Sequence, residues 1–397
     1  MKHRIIFFLI LGIDALILLS ETSELSISYR EASILYGSFS FLQMVENLSI
    51  SIFGQNDFAL RLPMIVFHTS SLILLYKISK RYIKHDRDRL WLIFIFVLLP
   101  GVLSSAMLVD SAGFVIFFLL LFVYLYDKIP KYYIYLLLSV YVLIDGSFVY
   151  LFFSLIFFSL YKKDNYFLLF NIIAFSASIY FYGIDTQGSP QGHFLDVIGI
   201  YSAIFTPIVF IYIFYILYRR YLTKEIELLW FISSVNLILS ILLSFRQMVN
   251  IENFAPYLII ALPLAAHTFS SSYRVRLKIF RGKYKAVFII SLCFLLFNSV
   301  LVLFNKNLYI FLDRPKDHFA YNLHVAKELA SELRNRGIEC VNTKKKMQKR
   351  LKFYKIDKCD TYFLQETTAN KSNYNNVTIS YNNIPVYSAT VTKINIK

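Results

Sequence analysis

Over its first three quarters the chain alternates long apolar runs with short polar breaks. The runs are roughly 15–22 residues long, enough to cross a bilayer as helices. Eleven spans are predicted, at 4–20, 63–80, 90–109, 112–126, 132–145, 147–161, 166–183, 197–217, 227–245, 255–273 and 286–304. Spans five and six read as a tight helical pair turning at Asp145-Gly146. The first run follows Met1-Lys2-His3-Arg4 with no cleavage pattern after it, and reads as a retained span. Between the first two spans, residues 21–62 carry apolar positions at helical spacing, which predicts helices lying along the membrane surface.

The pattern changes at Lys306. Residues 317–336 have helical spacing, with Phe319, Leu323, Val325, Ala326, Leu329 and Leu333 on one broad face. A short strand is predicted at Gly337–Asn342, a basic helix at 344–355 and a second strand at 360–365. After a polar stretch at 366–375, Val377–Tyr381 and Val386–Ile394 read as a hairpin turning at Asn382-Asn383. The expected fold is an all-α polytopic membrane bundle over 1–304, followed by a small α/β domain over 305–397.

Loop charge orients the bundle. With the N-terminus inside, the inner segments carry 21 Lys and Arg, including six in 77–89 and six in 274–285. The outer interspan loops carry three, Arg30, Arg61 and Arg246. The same loops hold ten carboxylates: Glu21, Glu24, Glu31, Glu46, Asp57, Asp110, Asp145, Asp185, Asp196 and Glu252. Such asymmetry follows the positive-inside rule, and an odd span count sets the C-terminal domain outside. The net charge of +16 is then an orientation signal facing anionic lipid, and the basic stretch 274–285 is read that way rather than as a nucleic-acid surface.

Composition agrees. Of 397 residues, 57% are hydrophobic and 17% charged, and mean hydropathy is +0.56. A soluble enzyme, a disordered chain and a disulfide-rich secreted module are excluded. Only 12 glycines and unbroken apolar runs argue against a β-barrel. Cys293 falls inside a span and reads as a core residue. Cys340 and Cys359 lie beside neighbouring expected strands; either a disulfide or two buried thiols fits an outer domain.

No phosphate-cradling loop, dinucleotide fingerprint, Ser-His-Asp order or zinc-binding helix motif occurs. What remains is an acidic outer face with a few arginines. Arg61 and Arg246 have the alternative of anchoring span ends, Asp110 of ending a span, and His193 of an ordinary loop histidine. Asp14 within the first span is costly unless it faces the bundle interior, near a site or paired with another polar group. His68 and His267 read as packing histidines.

Motifs in the same order resemble the C-type polytopic glycosyltransferases, the protein mannosyltransferase-like group that includes aminoarabinose lipid A transferase. Phe53-Gly-Gln-Asn-Asp57-Phe-Ala-Leu-Arg61-Leu-Pro63, then Leu72-Ile-Leu-Leu-Tyr-Lys, is similar to that group's F-G…R-L-P…L-L-Y stretch. Leu99-Pro100 with Asp110 ten residues on resembles its S-P…D. Gln191-Gly-His193-Phe194 resembles G-P-F-x-Y, and Arg246 with Phe254-Ala-Pro256-Tyr257-Leu and Pro263 resembles R…Y-L-L-P…P.

The resemblance implies transfer of a sugar from a polyprenyl-phosphate donor to a hydroxyl of an envelope glycan, lipid or protein, with inversion, on the outer face of a cytoplasmic (inner) membrane. Matching Arg30-Glu31 to the group's R-E sets Glu21 at its acid position, with Glu24 close by rather than adjacent and Glu in place of Asp. Glu21, Glu24 and Asp110 are the implied catalytic acids, and Arg61, Arg246 and His193 the implied donor-phosphate ligands. The resemblance leaves room for a divalent metal and names none. Two other functions stay open: an inactive member serving as a lipid-binding membrane scaffold, and a transporter of lipid-linked sugar, for which no internal repeat is visible.

Overall fold

The computed structural model describes residues 2–183, 192–367 and 376–393. Asp185, Gln191, Ile394 and most of the polar stretch 366–375 lie outside the described residues. The described residues form eighteen α-helices and one three-stranded sheet. In chain order the helices are α1 (Lys2–Glu24), α2 (Tyr29–Leu35), α3 (Phe41–Phe53), α4 (Asp57–Tyr82), α5 (Asp86–Leu98), α6 (Pro100–Met107), α7 (Ser111–Tyr126), α8 (Lys131–Ile144) and α9 (Val149–Lys162). They continue with α10 (Asn165–Tyr182), α11 (Phe194–Phe205), α12 (Pro207–Leu222), α13 (Leu228–Ser244), α14 (Ala255–Ile259), α15 (Leu262–Val275), α16 (Lys278–Leu303), α17 (Ala326–Asn335) and α18 (Lys345–Phe353). The chain divides into two compact units, Met1–Leu16 with Met64–Ser299 and Ile17–Pro63 with Val300–Lys397.

The first unit is the helical membrane bundle. Every apolar run expected to span is helical. Among the described residues four helices are long and apolar enough to cross a membrane, α1, α4, α10 and α16, or six if two bent pairs each count as one span. The bends are 62° between α5 and α6 and 105° between α11 and α12, and each falls where proline opens the second helix, at Pro100 and Pro207. Proline has no N–H to give and clashes with the preceding turn, so an apolar run breaks there without losing its hydropathy. The turn between α8 and α9 falls at Asp145-Gly146, where the Asp145 carboxylate accepts the Ser147 N–H at 2.8 Å. A Cβ at Gly146 would come within 2.9 Å of the Tyr182 Cβ, so this turn needs glycine.

Helices in an apolar solvent gain little from hydrophobic burial against one another, and small polar groups tie them instead. The Asn236 amide donates to Ser154 Oγ at 2.8 Å, joining α13 to α9. Tyr201 and Ser240 hydroxyls meet at 2.9 Å between α11 and α13, and Ser299 Oγ donates to the Leu98 carbonyl at 2.8 Å between α16 and α5. Asp14 resolves as an interior pair: its carboxylate meets His68 Nε2 at 2.8 Å, both side chains buried. Cys293 is corrected: it is exposed, because α16 buries little of its surface and turns this side outward.

The second unit joins the 17–63 segment to the C-terminal residues. Its sheet comprises β1 (Tyr362–Glu366), β2 (Asn376–Tyr381) and β3 (Ile384–Lys393), antiparallel in the order β1-β3-β2. The hairpin turns at Asn382 and Asn383, with φ of 49° and 65°, a left-handed pair that asparagine tolerates well. Leu329, Leu333, Val341, Leu351, Ile356, Val377 and Ala389 form the core between α17, α18 and the sheet. Outward on α3 lie Met44, Leu48 and Ile52, an exposed apolar stripe at i, i+4, i+8, while Leu42, Glu46 and Ser49 turn inward.

Two local expectations are corrected. The helix expected over 317–336 is confined to α17, preceded by 3-10 turns at Pro315–Asp317 and Tyr321–Leu323. Phe319 is 66% exposed, and Val325 sits at φ 81°, closed to a continuing helix for a β-branched residue. The strand expected at 337–342 is reduced to isolated parallel bridges, Cys340 with Asp357 and Asn342 with Phe363. Cys340 and Cys359 are disulfide-bonded, nineteen residues apart.

A closed loop of that length constrains the unfolded chain by about 3 kcal/mol. Replacing both cysteines by serine should lower the unit's stability by about that amount in a denaturant titration. An unchanged midpoint, with identical gel mobility of the parent with and without reductant, would contradict the bond's role.

Candidate active site

Glu21, Glu24 and Arg61 belong to the second unit, and Asp110, His193 and Arg246 to the first. In the second unit the geometry starts where α1 ends. Residues 25–28 leave helical geometry while buried, so their peptide groups need partners inside the protein. Arg61, in the first turns of α4 and fully buried, supplies most of the acceptors' needs. Its Nη1 donates to the carbonyls of Thr22 at 3.1 Å and Leu25 at 2.7 Å, and its Nη2 to that of Ser26 at 2.9 Å. Nε and Nη2 also fork onto the Glu31 carboxylate at 3.1 and 3.0 Å. An arginine has five N–H donors, and all five are used.

Glu31 is fixed from its own side by the Ser28-x-x-Glu31 spacing, a capping box opening α2. The Ser28 N–H donates to Glu31 Oε2 at 2.7 Å, and the Glu31 N–H to Ser28 Oγ at 3.1 Å. Arg350, from α18 and also buried, donates from Nε to the Ile27 carbonyl at 2.7 Å and from Nη2 to that of His324 at 2.6 Å. Tyr354 donates its hydroxyl to Asp57 at 2.6 Å and accepts the Ile27 N–H at 2.9 Å. Lys327 Nζ pairs with the other Asp57 oxygen at 3.2 Å. Arg61 thus has no donor left for a phosphate in this arrangement; it holds the end of α1, where a cation also complements the helix dipole. The R-L-P motif marked the residue, but position in a motif does not report that every N–H is already taken.

Of the expected acids, Glu24 is exposed and paired with Lys306 Nζ at 3.1 Å, which also faces Glu328 at 3.7 Å. Glu21, one turn earlier and half-buried, has a side chain that makes no hydrogen bond or ion pair among the described residues. In the first unit Asp110 caps α7, its Oδ1 accepting the Ser111 N–H at 2.6 Å. His193 precedes α11, with Nδ1 at 2.9 Å from Asp196, and its N–H reaches the Ser244 carbonyl at 2.7 Å. That bond brings the His193 turn against the segment that carries Arg246, where Phe194 and Phe245 stack at 5.3 Å. Arg246 is exposed; its N–H donates to the Leu243 carbonyl at 3.0 Å, and its side chain makes no hydrogen bond or ion pair among the described residues. Tyr257, from the Y-L-P-like stretch, is buried and donates to the Ser147 carbonyl at 2.6 Å, a packing role. Among the described residues no three His, Cys, Asp or Glu side chains gather as a metal site.

Two buried titratable groups were not legible as such. Glu46 is fully buried in α3, neither carboxylate oxygen has a hydrogen-bond partner among the described residues, and burial, with the Glu31 charge adding to it, pushes its pKa up to about 9. His324 lies between the Tyr309 hydroxyl and Asn305 Oδ1, both at 2.8 Å. Burial and the neighbouring His318, Lys306 and Arg350 push it down to about 3, so the ring stays neutral.

Breaking a buried pair leaves one charge uncompensated, at about 3–5 kcal/mol. Arg61→Ala should therefore destabilise the protein by about that much, and Arg61→Lys should restore little, since an ammonium cannot satisfy five acceptor directions. Thermal melts of the purified variants would read both; a lysine variant as stable as the parent would refute the clamp. For Glu46 the unfolded chain ionises near 4.5 and the folded one near 9, so stability falls between those pH values by about 1.4 kcal/mol per unit. Glu46→Gln should flatten that slope in melts taken from pH 5 to pH 8.5; a parallel slope in both proteins would contradict a neutral buried carboxyl.

Compared with known proteins, no family model matches the chain. No curated protein matches either. Among solved structures the chain is similar to ArnT from Cupriavidus metallidurans in the apo state, with a TM-score of 0.59 over 98% of this chain and 97% of that one, at 9% identity. Likeness of that extent at so low an identity is one of fold: the chain has the ArnT architecture, a polytopic membrane bundle with a small C-terminal α/β domain, which is the fold the sequence motifs resembled.

Proposed function

We propose that the chain is an integral-membrane glycosyltransferase moving a sugar from a polyprenyl-phosphate carrier to an acceptor hydroxyl of the cell envelope. In this reading the N-terminus faces the cytoplasm and the chemistry lies on the outer face. The fold shared with ArnT across nearly the whole of both chains carries the reading.

The residues divide the work as follows. A hydroxyl is a weak nucleophile near neutral pH and needs a carboxylate base within hydrogen-bond reach. Glu21 suits this role, because its side chain makes no hydrogen bond or ion pair among the described residues. Glu24 and Asp110 are the further acids that the motif resemblance proposes. The hydroxyl oxygen attacks the anomeric carbon, its proton passes to the carboxylate, and the bond to the carrier phosphate breaks with its electron pair leaving on phosphate. The anomeric centre inverts through a cation-like transition state. The departing phosphate calls for a cation, and Arg246, whose exposed side chain makes no hydrogen bond or ion pair among the described residues, is the residue proposed for that role. Arg61 acts at one remove, by fixing the backbone that follows Glu21 and Glu24.

A second reading, a lipid-binding scaffold without transfer activity, is favoured by one observation: the motif arginine Arg61 is wholly consumed in structural hydrogen bonds. The two separate on substitution. Glu21→Gln should cut glycan transfer by about 10²-fold or more at unchanged protein level. The triple variant Glu21→Gln, Glu24→Gln, Asp110→Asn should be inactive in a deletion strain. Should the triple variant fully restore the envelope glycan profile by mass spectrometry, the transferase reading falls and the scaffold stands.

A further inference from the structure

Away from these residues, the C-terminal ends of α12 and α15 enclose a cavity of about 460 Å³. That size lies within the range of about 300–1,000 Å³ usual for small-molecule sites. Its α15 wall is one helical face, running from His267 through Ser271 to Val275. Three arginines line it, Arg219, Arg220 and Arg276, against one carboxylate, Glu225.

The charge balance alone would suit an orientation signal at a membrane edge, with arginines reaching out to water. Arg220 does the opposite. Its residue is only 4% exposed. Its Nη2 donates to His267 Nδ1 at 3.3 Å and its Nη1 to the Glu225 carbonyl at a long 3.5 Å. Glu225 thus offers Arg220 its main chain and not its charge. The Arg220 Nε–H is shut from solvent and has no partner among the described residues. Arginine only donates, so His267 Nδ1 accepts and the ring carries its proton on Nε2, which adds no positive charge to oppose the guanidinium. Arg219 is held loosely by Ser272 Oγ at 3.4 Å, and Arg276 lies over the Tyr284 ring at 4.3 Å. Three forked cations, one with a buried donor unmet, together with Ser and Thr hydroxyls, form a wall of donors short of acceptors. A tetrahedral oxyanion supplies what is missing, and guanidinium forks match it in bidentate fashion.

We propose that this cavity binds a phosphate group, borne by a lipid headgroup or free in solution. Basic pockets between membrane helices take lipid phosphates by the same chemistry. The site is independent of the transferase reading, since it shares no residue with the acids or with Arg246.

The test uses the full chain. In detergent, inorganic phosphate should raise the melting midpoint relative to chloride at equal ionic strength. In nanodiscs of phosphatidylcholine containing phosphatidic acid, native mass spectrometry should find phosphatidic acid retained at least tenfold over its share. Arg219→Gln with Arg276→Gln, both exposed and so compatible with folding, should remove either effect while leaving the ligand-free midpoint unchanged. Arg220→Lys, which keeps the charge and loses the fork, should weaken binding at least fivefold. A response to phosphate alone identifies the free ion, retention of phosphatidic acid alone identifies a lipid headgroup, and both together a headgroup site open to the ion. If neither probe binds, or if binding is the same in all three proteins, the cavity is no phosphate site.

Discussion

A peptide group taken out of water without a partner costs about 1–3 kcal/mol, and residues 25–28 bury several at once. Much of the second unit is explained by how those groups are met. The Leu25 and Ser26 carbonyls go to Arg61, the Ser26 N–H to the Leu323 carbonyl at 2.8 Å, the Ile27 N–H to Tyr354, the Ile27 carbonyl to Arg350, and the Ser28 N–H to Glu31. Two buried guanidinium groups, one carboxylate and one phenol are therefore fixed by a four-residue stretch of backbone. Each is then held in turn: Glu31 by its own capping box, and Tyr354 by Asp57. This arrangement sets the last turn of α1, and with it the geometry around Glu21 and Glu24.

The first unit solves a different problem. Where surroundings are as apolar as the side chains, hydroxyls and amides fix helix to helix at Ser154, Ser240, Asn236 and Ser299. Two polar groups carried into its interior, Asp14 and His68, meet each other at 2.8 Å. The bends at Pro100 and Pro207 interrupt the rods, so the bundle is not a set of straight spans.

Much of this was legible in the sequence because membrane burial is a one-dimensional property. Continuous apolar runs gave every bundle helix, and Asn382-Asn383 gave the hairpin, since few residues accept that left-handed turn. Proline bends were missed because hydropathy does not register a lost N–H. The tail helix was over-extended because Phe319 and Val325 fit a helical period while their backbone does not. The roles at the site were harder still. Arg61 and Glu31 stood out by motif, but satisfaction of donors by distant carbonyls is a three-dimensional sum. Glu46 gave no signal at all: among polar neighbours on an amphipathic helix, nothing in its spacing marks a carboxyl turned inward without a partner.

Three of the partners of residues 25–28, Leu323, Arg350 and Tyr354, lie about three hundred positions downstream, with Arg350 separated from Ile27 by 323 residues. On the ribosome the first loop is made early together with Arg61 and Glu31, and the rest of its hydrogen-bonding complement almost last. Through nearly the whole of translation that loop must wait in water or in the keeping of a chaperone, and the sugar-handling face as proposed cannot exist until the final domain has been delivered. Assembly is thus timed by the end of synthesis, and a half-made chain left in the membrane would be inert.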